Sequence, residues 1–156
     1  FHPAYYYEPF ELPGRRMNTS RGWEIFPRII YDMAMRIKND YRNIDWFVAE
    51  SGMGVENEAQ FRNRDGIIDD AYRIAFISEH LYYTLLAREA GANCHGYMLW
   101  AFTDNVSPMN AFKNRYGLIE IDLENHRARR AKKSASWFRQ LRDERVLTLR
   151  VDDEWK

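Results

Sequence analysis

The sequence predicts an α/β fold with parallel strands, and three observations lead there. Residues 44–49 and 95–100 are short, apolar, β-favouring runs that stop abruptly at polar residues. Helical periodicity precedes the first run, separates the two, and returns after the second, giving the order helix, strand, helix, strand, helix. Neither run alternates apolar with polar residues, which is the pattern of strands buried on both faces of a sheet.

The elements follow in order. Residues 1–22 hold Pro3, Pro9 and Pro13 and little periodicity, so a long loop is expected. The chain opens Phe1-His2-Pro3-Ala4-Tyr5-Tyr6-Tyr7 without an initiator Met, which reads as an excised segment. Ile25, Ile29, Ile30, Met33 and Ile37 recur at helical spacing between Asp32, Arg36 and Lys38, predicting a helix over 24–38 that polar residues 39–43 end. Ile44-Asp45-Trp46-Phe47-Val48-Ala49 is the first strand, stopped by Glu50-Ser51-Gly52. Residues 53–68 are polar and glycine-containing, a loop. Asp69 or Asp70 is placed to cap a second helix, with Tyr72, Phe76, Leu81 and Leu85 near one face and its end at Gly91. The strand His95-Gly96-Tyr97-Met98-Leu99-Trp100 follows. Residues 118–123 and 127–129 suggest a hairpin. A last helix begins near Lys132 and is expected to bury Ser134, Trp137, Phe138 and Leu141, leaving 144–156 as a tail. All of 1–156 is expected to form a single domain.

The totals exclude more than they suggest. Lys plus Arg number 23 and Asp plus Glu 23, with no block of like charge, so neither nucleic acid nor an anionic membrane is an expected partner. The lone Cys94 has no partner for an internal disulfide, and no signal-peptide pattern opens the chain, which together lead us to expect a cytoplasmic location. No apolar run approaches membrane-spanning length. His2, His80, His95, His126 and Cys94 lack metal-ligand spacing; the adjacent Cys94 and His95 are expected to be a buried pair, and neither metal nor cofactor is expected.

In a parallel barrel the site lies at the C-terminal strand ends, which makes Glu50 a candidate catalytic carboxylate. The neighbouring residues carry a resemblance. Phe47-Val48-Ala49-Glu50-Ser51-Gly52-Met53-Gly54 resembles the nucleophile motif of family 1 glycoside hydrolases, a strand ending in (I/V)-x-E-N-G, with Ser51 where Asn is usual. Gly96-Tyr97-Met98-Leu99-Trp100-Ala101-Phe102-Thr103-Asp104-Asn105 resembles that family's next strand. Arg115-Tyr116-Gly117-Leu118 with Asp122, then Lys132-Lys133-Ser134-Ala135-Ser136-Trp137-Phe138, resembles its ending, and Gly22-Trp23-Glu24-Ile25 with Pro27 resembles the segment leading into a helix. The four occur in family order over residues 22–141.

The resemblance implies that the chain is the C-terminal part of a (β/α)8 barrel, supplying about two parallel strands, flanking helices and a small hairpin. It implies that Glu50 is the nucleophile of a retaining β-glycosidase, working with a second carboxyl group about 5 Å away. It implies that Trp100 lines the floor of the sugar site, where an aromatic face meets a pyranose. Ser107 stands where ordinary β-glucosidases of the family carry Glu and where phospho-β-glycosidases carry Ser. A hydroxyl donates to a phosphate, whereas a carboxylate repels it. Tyr116 falls in the Tyr position of the implied phosphate clamp; the Lys position is Asn114, with Lys113 one residue earlier, so the clamp departs from the pattern. Pro108, after Ser107, leaves gluco and galacto substrates undistinguished.

A full barrel needs roughly 250 residues, and no Asn-Glu-Pro, the family's acid/base motif, occurs in this sequence. The chain alone is therefore expected to be inactive, and its unpaired strand edges to self-associate. The expected partner is a sugar or sugar-phosphate substrate of a 6-phospho-β-galactosidase or 6-phospho-β-glucosidase. The alternatives are a plain β-glucosidase or β-galactosidase of the same family, and a truncated, non-catalytic binding or assembly module.

Overall fold

The structure is a computed structural model that describes residues 13–149. The expected loop over 1–22 and tail over 144–156 thus lie partly outside the described residues.

Residues 13–22 are not simply a loop. β1 (Met17–Asn18) pairs antiparallel with β2 (Trp23–Glu24), and the turn between them closes on the Asn18 carbonyl, which accepts the Gly22 N–H at 2.8 Å. Gly22 has φ +67, a left-handed conformation that glycine adopts without steric cost. Strands two residues long leave no periodicity to read.

α1 (Ile29–Asp40) begins five residues later than its apolar pattern predicts, since Trp23 and Glu24 belong to β2. Pro27 disfavours helical backbone at Phe26, so Ile25 leaves the helix pattern and joins a cluster with Met53, Val55 and Tyr72. Ala34 of α1 meets Ala87 and Ala92, with Tyr31, Met35 and Trp46 packed around them. Such small side chains permit a close helix approach.

β3 (Trp46–Ser51) and β5 (Cys94–Leu99) form the parallel pair, with Trp46 opposite Cys94, Val48 opposite Tyr97 and Ser51 opposite Leu99. Each lies within two residues of its expected place, and Glu50 is inside its strand rather than beyond it. The expectation of burial on both faces is corrected. Cys94 is buried on the helix side, but Phe47 is 56 % exposed and Met98 52 %, because no other described element covers the face they share around Gly96. The expected buried Cys94–His95 pair is corrected too: His95 points outward, its Nε2 3.0 Å from Asp45. Neighbours along a strand face opposite ways.

Residues 53–68 are more ordered than the expected loop. They contain β4 (Val55–Glu56), a 3-10 turn (Glu58–Phe61) and an antiparallel bridge from Arg62 to Ile68. β4 pairs with β6 (Asn114–Arg115), which ties the chain after β3 to the later segment.

α2 (Ala71–Glu89) ends as expected, with Gly91 left-handed just beyond it. Asp70 sits at its N-terminus, yet the carboxylate makes no capping bond; it serves Ser134 and Arg73 instead. The buried face is broader than Tyr72, Phe76, Leu81 and Leu85 implied. It runs through Ile74, Ala75, Ile77, Ser78, Thr84 and Ala87, while Leu85 is exposed. The Ser78 and Thr84 hydroxyls donate to carbonyls four residues back, which satisfies them inside the core.

β7 (Ile119–Asp122) and β8 (Ala128–Ala131) make the expected hairpin, and α3 (Lys133–Glu144) follows. Only Ser134 of its four expected core residues is buried; Trp137 and Leu141 are half-buried and Phe138 is at the surface. α3 is flanked by open grooves of about 340 Å³ beside Leu81, Leu85 and Leu141, and about 380 Å³ beside Phe102, Leu118 and Phe138.

Candidate active site

β3 and β5 end side by side, and this places two of the six residues singled out by sequence. Glu50 is exposed at the penultimate position of β3. The Trp100 N–H donates to the Ser51 carbonyl at 2.8 Å, so the indole starts one hydrogen bond from the strand end that carries Glu50. Gly52 allows this approach, since a Cβ there would collide with the Trp100 carbonyl. The Trp100–Ala101 peptide is cis. Burial pushes the Tyr97 hydroxyl, on the neighbouring strand, up to about 12.

Tyr116 is buried, with its ring against Gly54, where any Cβ would strike it. The tyrosine is thereby seated on the chain just past the candidate nucleophile. Its carbonyl accepts the Ala101 N–H at 3.3 Å, joining it also to the Trp100 segment.

Ser107, Lys113 and Asn114 are held differently. Ser107 exchanges both backbone hydrogen bonds with Ala111, at 2.8 and 2.9 Å, and its Oγ accepts the Met109 N–H at 3.3 Å. Its bonds stay within its own turn. The Lys113 side chain is 65 % exposed and pairs with Glu56 at 3.2 Å. Asn114 is 1 % exposed; its amide nitrogen donates to the Ser20 carbonyl at 3.3 Å, and its oxygen accepts from Asn110. The Asn114 amide thus joins the Ser20 turn to the Asn110 turn, using one of its two N–H donors. Lys113 and Arg115 line a cavity of about 300 Å³ with Asn57, Glu58, Asp104 and Phe112. Among the described residues no group of three or more His, Cys, Asp or Glu is arranged to hold a metal ion, and no helix is long and apolar enough to cross a membrane.

Sequence reasoning missed what braces these pieces. Arg73, Glu58, Asp70, Asp104 and Lys132 are all buried, and they form one connected lattice. Arg73 uses all five of its N–H donors. Nε donates to Asp70 at 3.0 Å; Nη1 donates to the Met53 carbonyl and, at 3.0 Å, to that of Tyr116; Nη2 donates to Glu58 and, at 3.1 Å, to the Arg115 carbonyl. Lys132 bridges Glu58 and Asp104, and Asp104 accepts the Gly117 N–H at 2.9 Å. Burial works against the Arg73 charge, but Glu58, Tyr72 and Asp70 outweigh it and hold its pKa above the usual arginine value. Burial, with Glu58 adding to it, pushes the Tyr72 hydroxyl up, and this phenol stays a donor to Glu58 at 2.6 Å. One signal was available: Arg73 is the lone charge in the apolar stretch Tyr72-Arg73-Ile74-Ala75-Phe76-Ile77.

Known proteins place this geometry. The chain is 48% identical over 141 residues to the 6-phospho-beta-glucosidase GmuD of Bacillus subtilis, covering 90% of this chain and 30% of that protein. It is 38% identical over 141 residues to a 6-phospho-beta-galactosidase of Clostridium acetobutylicum, covering 86% and 29%. The chain thus spans about 30% of the length of these relatives. A family 1 b-glucosidase from Thermotoga maritima, solved with isofagomine lactam, superposes with a TM-score of 0.78 at 24% identity, over 89% of this chain and 30% of that one. That likeness establishes the fold, a part of a (β/α)8 barrel. The sequence profile of Glycosyl hydrolase family 1 matches residues 11–146, nearly the whole chain, and the chain belongs to that family.

Proposed function

We propose that this chain carries the nucleophile of a retaining β-glycosidase acting on 6-phospho-β-glycosides, and that the nucleophile is Glu50. The observation that carries the reading is the exposed Glu50 carboxylate at the C-terminal end of β3, beside Trp100 on the adjoining strand end. A Glu50 oxygen forms the bond to the anomeric carbon as the glycosidic C–O bond breaks. A second carboxylic acid protonates the departing oxygen and then takes the proton of the water that releases the sugar. No Asn-Glu-Pro motif is present to supply that acid, and general acid–base assistance is typically worth about 10²–10⁴-fold, so this chain alone is expected to be nearly inert. The names of the relatives, 6-phospho-beta-glucosidase and 6-phospho-beta-galactosidase, and Ser107 in place of a carboxylate support the phosphorylated substrate.

The reading is tested in the barrel enzyme that contains this chain. Glu50→Gln is expected to lower kcat by at least about 10³-fold while substrate still binds; near-normal turnover would overturn the assignment. A second reading, an unphosphorylated β-glycoside substrate, is favoured by one observation: Asn114 is committed to Ser20 and Asn110, and Lys113 to Glu56. Ser107→Glu separates the two. It is expected to harm 6-phosphoglycoside hydrolysis about tenfold or more beyond its effect on the unphosphorylated analogue, through carboxylate–phosphate repulsion. Equal effects favour the second reading.

A further inference from the structure

Resting on the reading of Glu50 as nucleophile, we propose that Arg73 is a positioning residue that fixes the Glu50 strand end relative to the Tyr116 segment, acting entirely through backbone carbonyls. Arg73 has no hydrogen bond to any of the six candidate side chains. It instead binds the carbonyl of Met53, three residues past Glu50, and the carbonyls of Arg115 and Tyr116. These are two segments with 60 residues between them, from Gly52–Gly54 to Arg115–Tyr116, that otherwise meet across the two-residue β4–β6 pair and the packing of Gly54 on the Tyr116 ring. One rigid planar fork therefore sets the distance between them. Its remaining donors go to Glu58 and Asp70, and each carboxylate is anchored elsewhere: Glu58 to Tyr72 and Lys132, Asp70 to the Ser134 N–H at 2.8 Å and hydroxyl at 2.6 Å. The fork has no freedom to rotate away from either carbonyl set.

The glycine contacts make this spacing matter. Gly54 lies flush against the Tyr116 ring and Gly52 against the Trp100 carbonyl, with no room for a Cβ at either place. A shift of one segment against the other is transmitted directly to Glu50 and Trp100. Lysine cannot replace this function, because an ammonium has three donors in no fixed plane whereas the site uses five in one plane.

The test uses Arg73→Lys, with Asp70→Asn as a milder variant that loosens the fork from its anchor, should the first not fold. In this chain, backbone hydrogen exchange is compared for residues 50–56 and 114–118 against residues 29–40 and 128–131. Both site segments are expected to exchange at least about tenfold faster while the two control segments change little, the signature of a local opening. Uniform acceleration, or acceleration of one site segment alone, overturns the proposal. In the barrel enzyme, labelling of Glu50 by a 2-deoxy-2-fluoro-glycoside is followed in time. The labelling rate constant is expected to fall at least about tenfold with every molecule still labelled at completion, since small misplacements of reacting groups are costly. A reduced labelled fraction reacting at the original rate means a merely structural role and overturns the proposal. If the unsubstituted enzyme is labelled at a residue other than Glu50, the reading of the nucleophile fails, and the exchange measurement still decides whether Arg73 couples the two segments.

Discussion

The region around Arg73 and the open face of β3 and β5 reverse the usual partition of residues. Arg73 and the four buried charged side chains around it are each matched by hydrogen bonds from within residues 53–134. On the open face and just beyond β5 lie Phe47, Met98 and Phe102, the last 71 % exposed. Burial of charge is tolerable only where every donor and acceptor is met, and the lattice meets them locally. Exposure of large apolar groups has no local remedy, and contiguous apolar patches mark surfaces that take a protein, a membrane or a ligand. The charged interior is complete within this chain. The apolar exterior is left uncovered by the described residues.

The contrast can be broken at its charged end first. Glu58→Ala takes one of two buried carboxylates from Arg73 and from Lys132, which keep Asp70 and Asp104, and a buried donor left unmet typically costs about 1–3 kcal/mol. Denaturant unfolding of this chain is expected to show a loss of that size, whereas Phe47→Ser on the open face should cost less than about 0.5 kcal/mol. Similar losses for the two would dissolve the distinction. The apolar end is probed by sedimentation velocity. We expect concentration-dependent association of this chain, weakened at least about tenfold by combining Phe47→Ser with Phe102→Ser. Purely monomeric sedimentation at every concentration would show that the open face needs no cover.

The smallest effect concerns His80, which lies between the two regions on α2 and carries the third kind of burial, a neutral titratable ring. Burial lowers its pKa, against the opposing pull of the Phe76 carbonyl 2.6 Å from Nδ1 and of Glu79, with Arg16 adding to the lowering. The unfolded chain takes up the proton near pH 6.5 and the folded chain only below that. This contribution to stability is therefore fully present above about pH 6.5 and is lost as pH falls from there through the folded pKa, by at most about 1.4 kcal/mol per pH unit. His80→Gln should flatten the acid limb of a plot of Tm against pH; an unchanged slope would show that His80 does not contribute to it.

What could be read from the sequence divides along the same line. The two strands, the hairpin and Glu50 at a strand end were legible because apolar runs and their polar stops are local signals. The β1–β2 turn and the β4–β6 pair were not, their strands being two residues long and the second pair joining residues distant in sequence. The lattice was hidden for a different reason: Arg73, Glu58 and Lys132 are residue types that almost always lie at the surface. Asn114 shows the converse. Its place in a motif implies a ligand contact, and the structure adds a bond to the Ser20 carbonyl, 94 residues away, that no sequence pattern reveals.

The turn around Ser107 has a consequence of its own. Its hydrogen bonds close on Ala111 and Met109, outside the lattice that grips Met53 and Tyr116. The turn therefore closes without using any of the hydrogen bonds that hold the end of β3. Rim turn and strand end are thus held by separate sets of bonds, and Pro108 lies in the first of them.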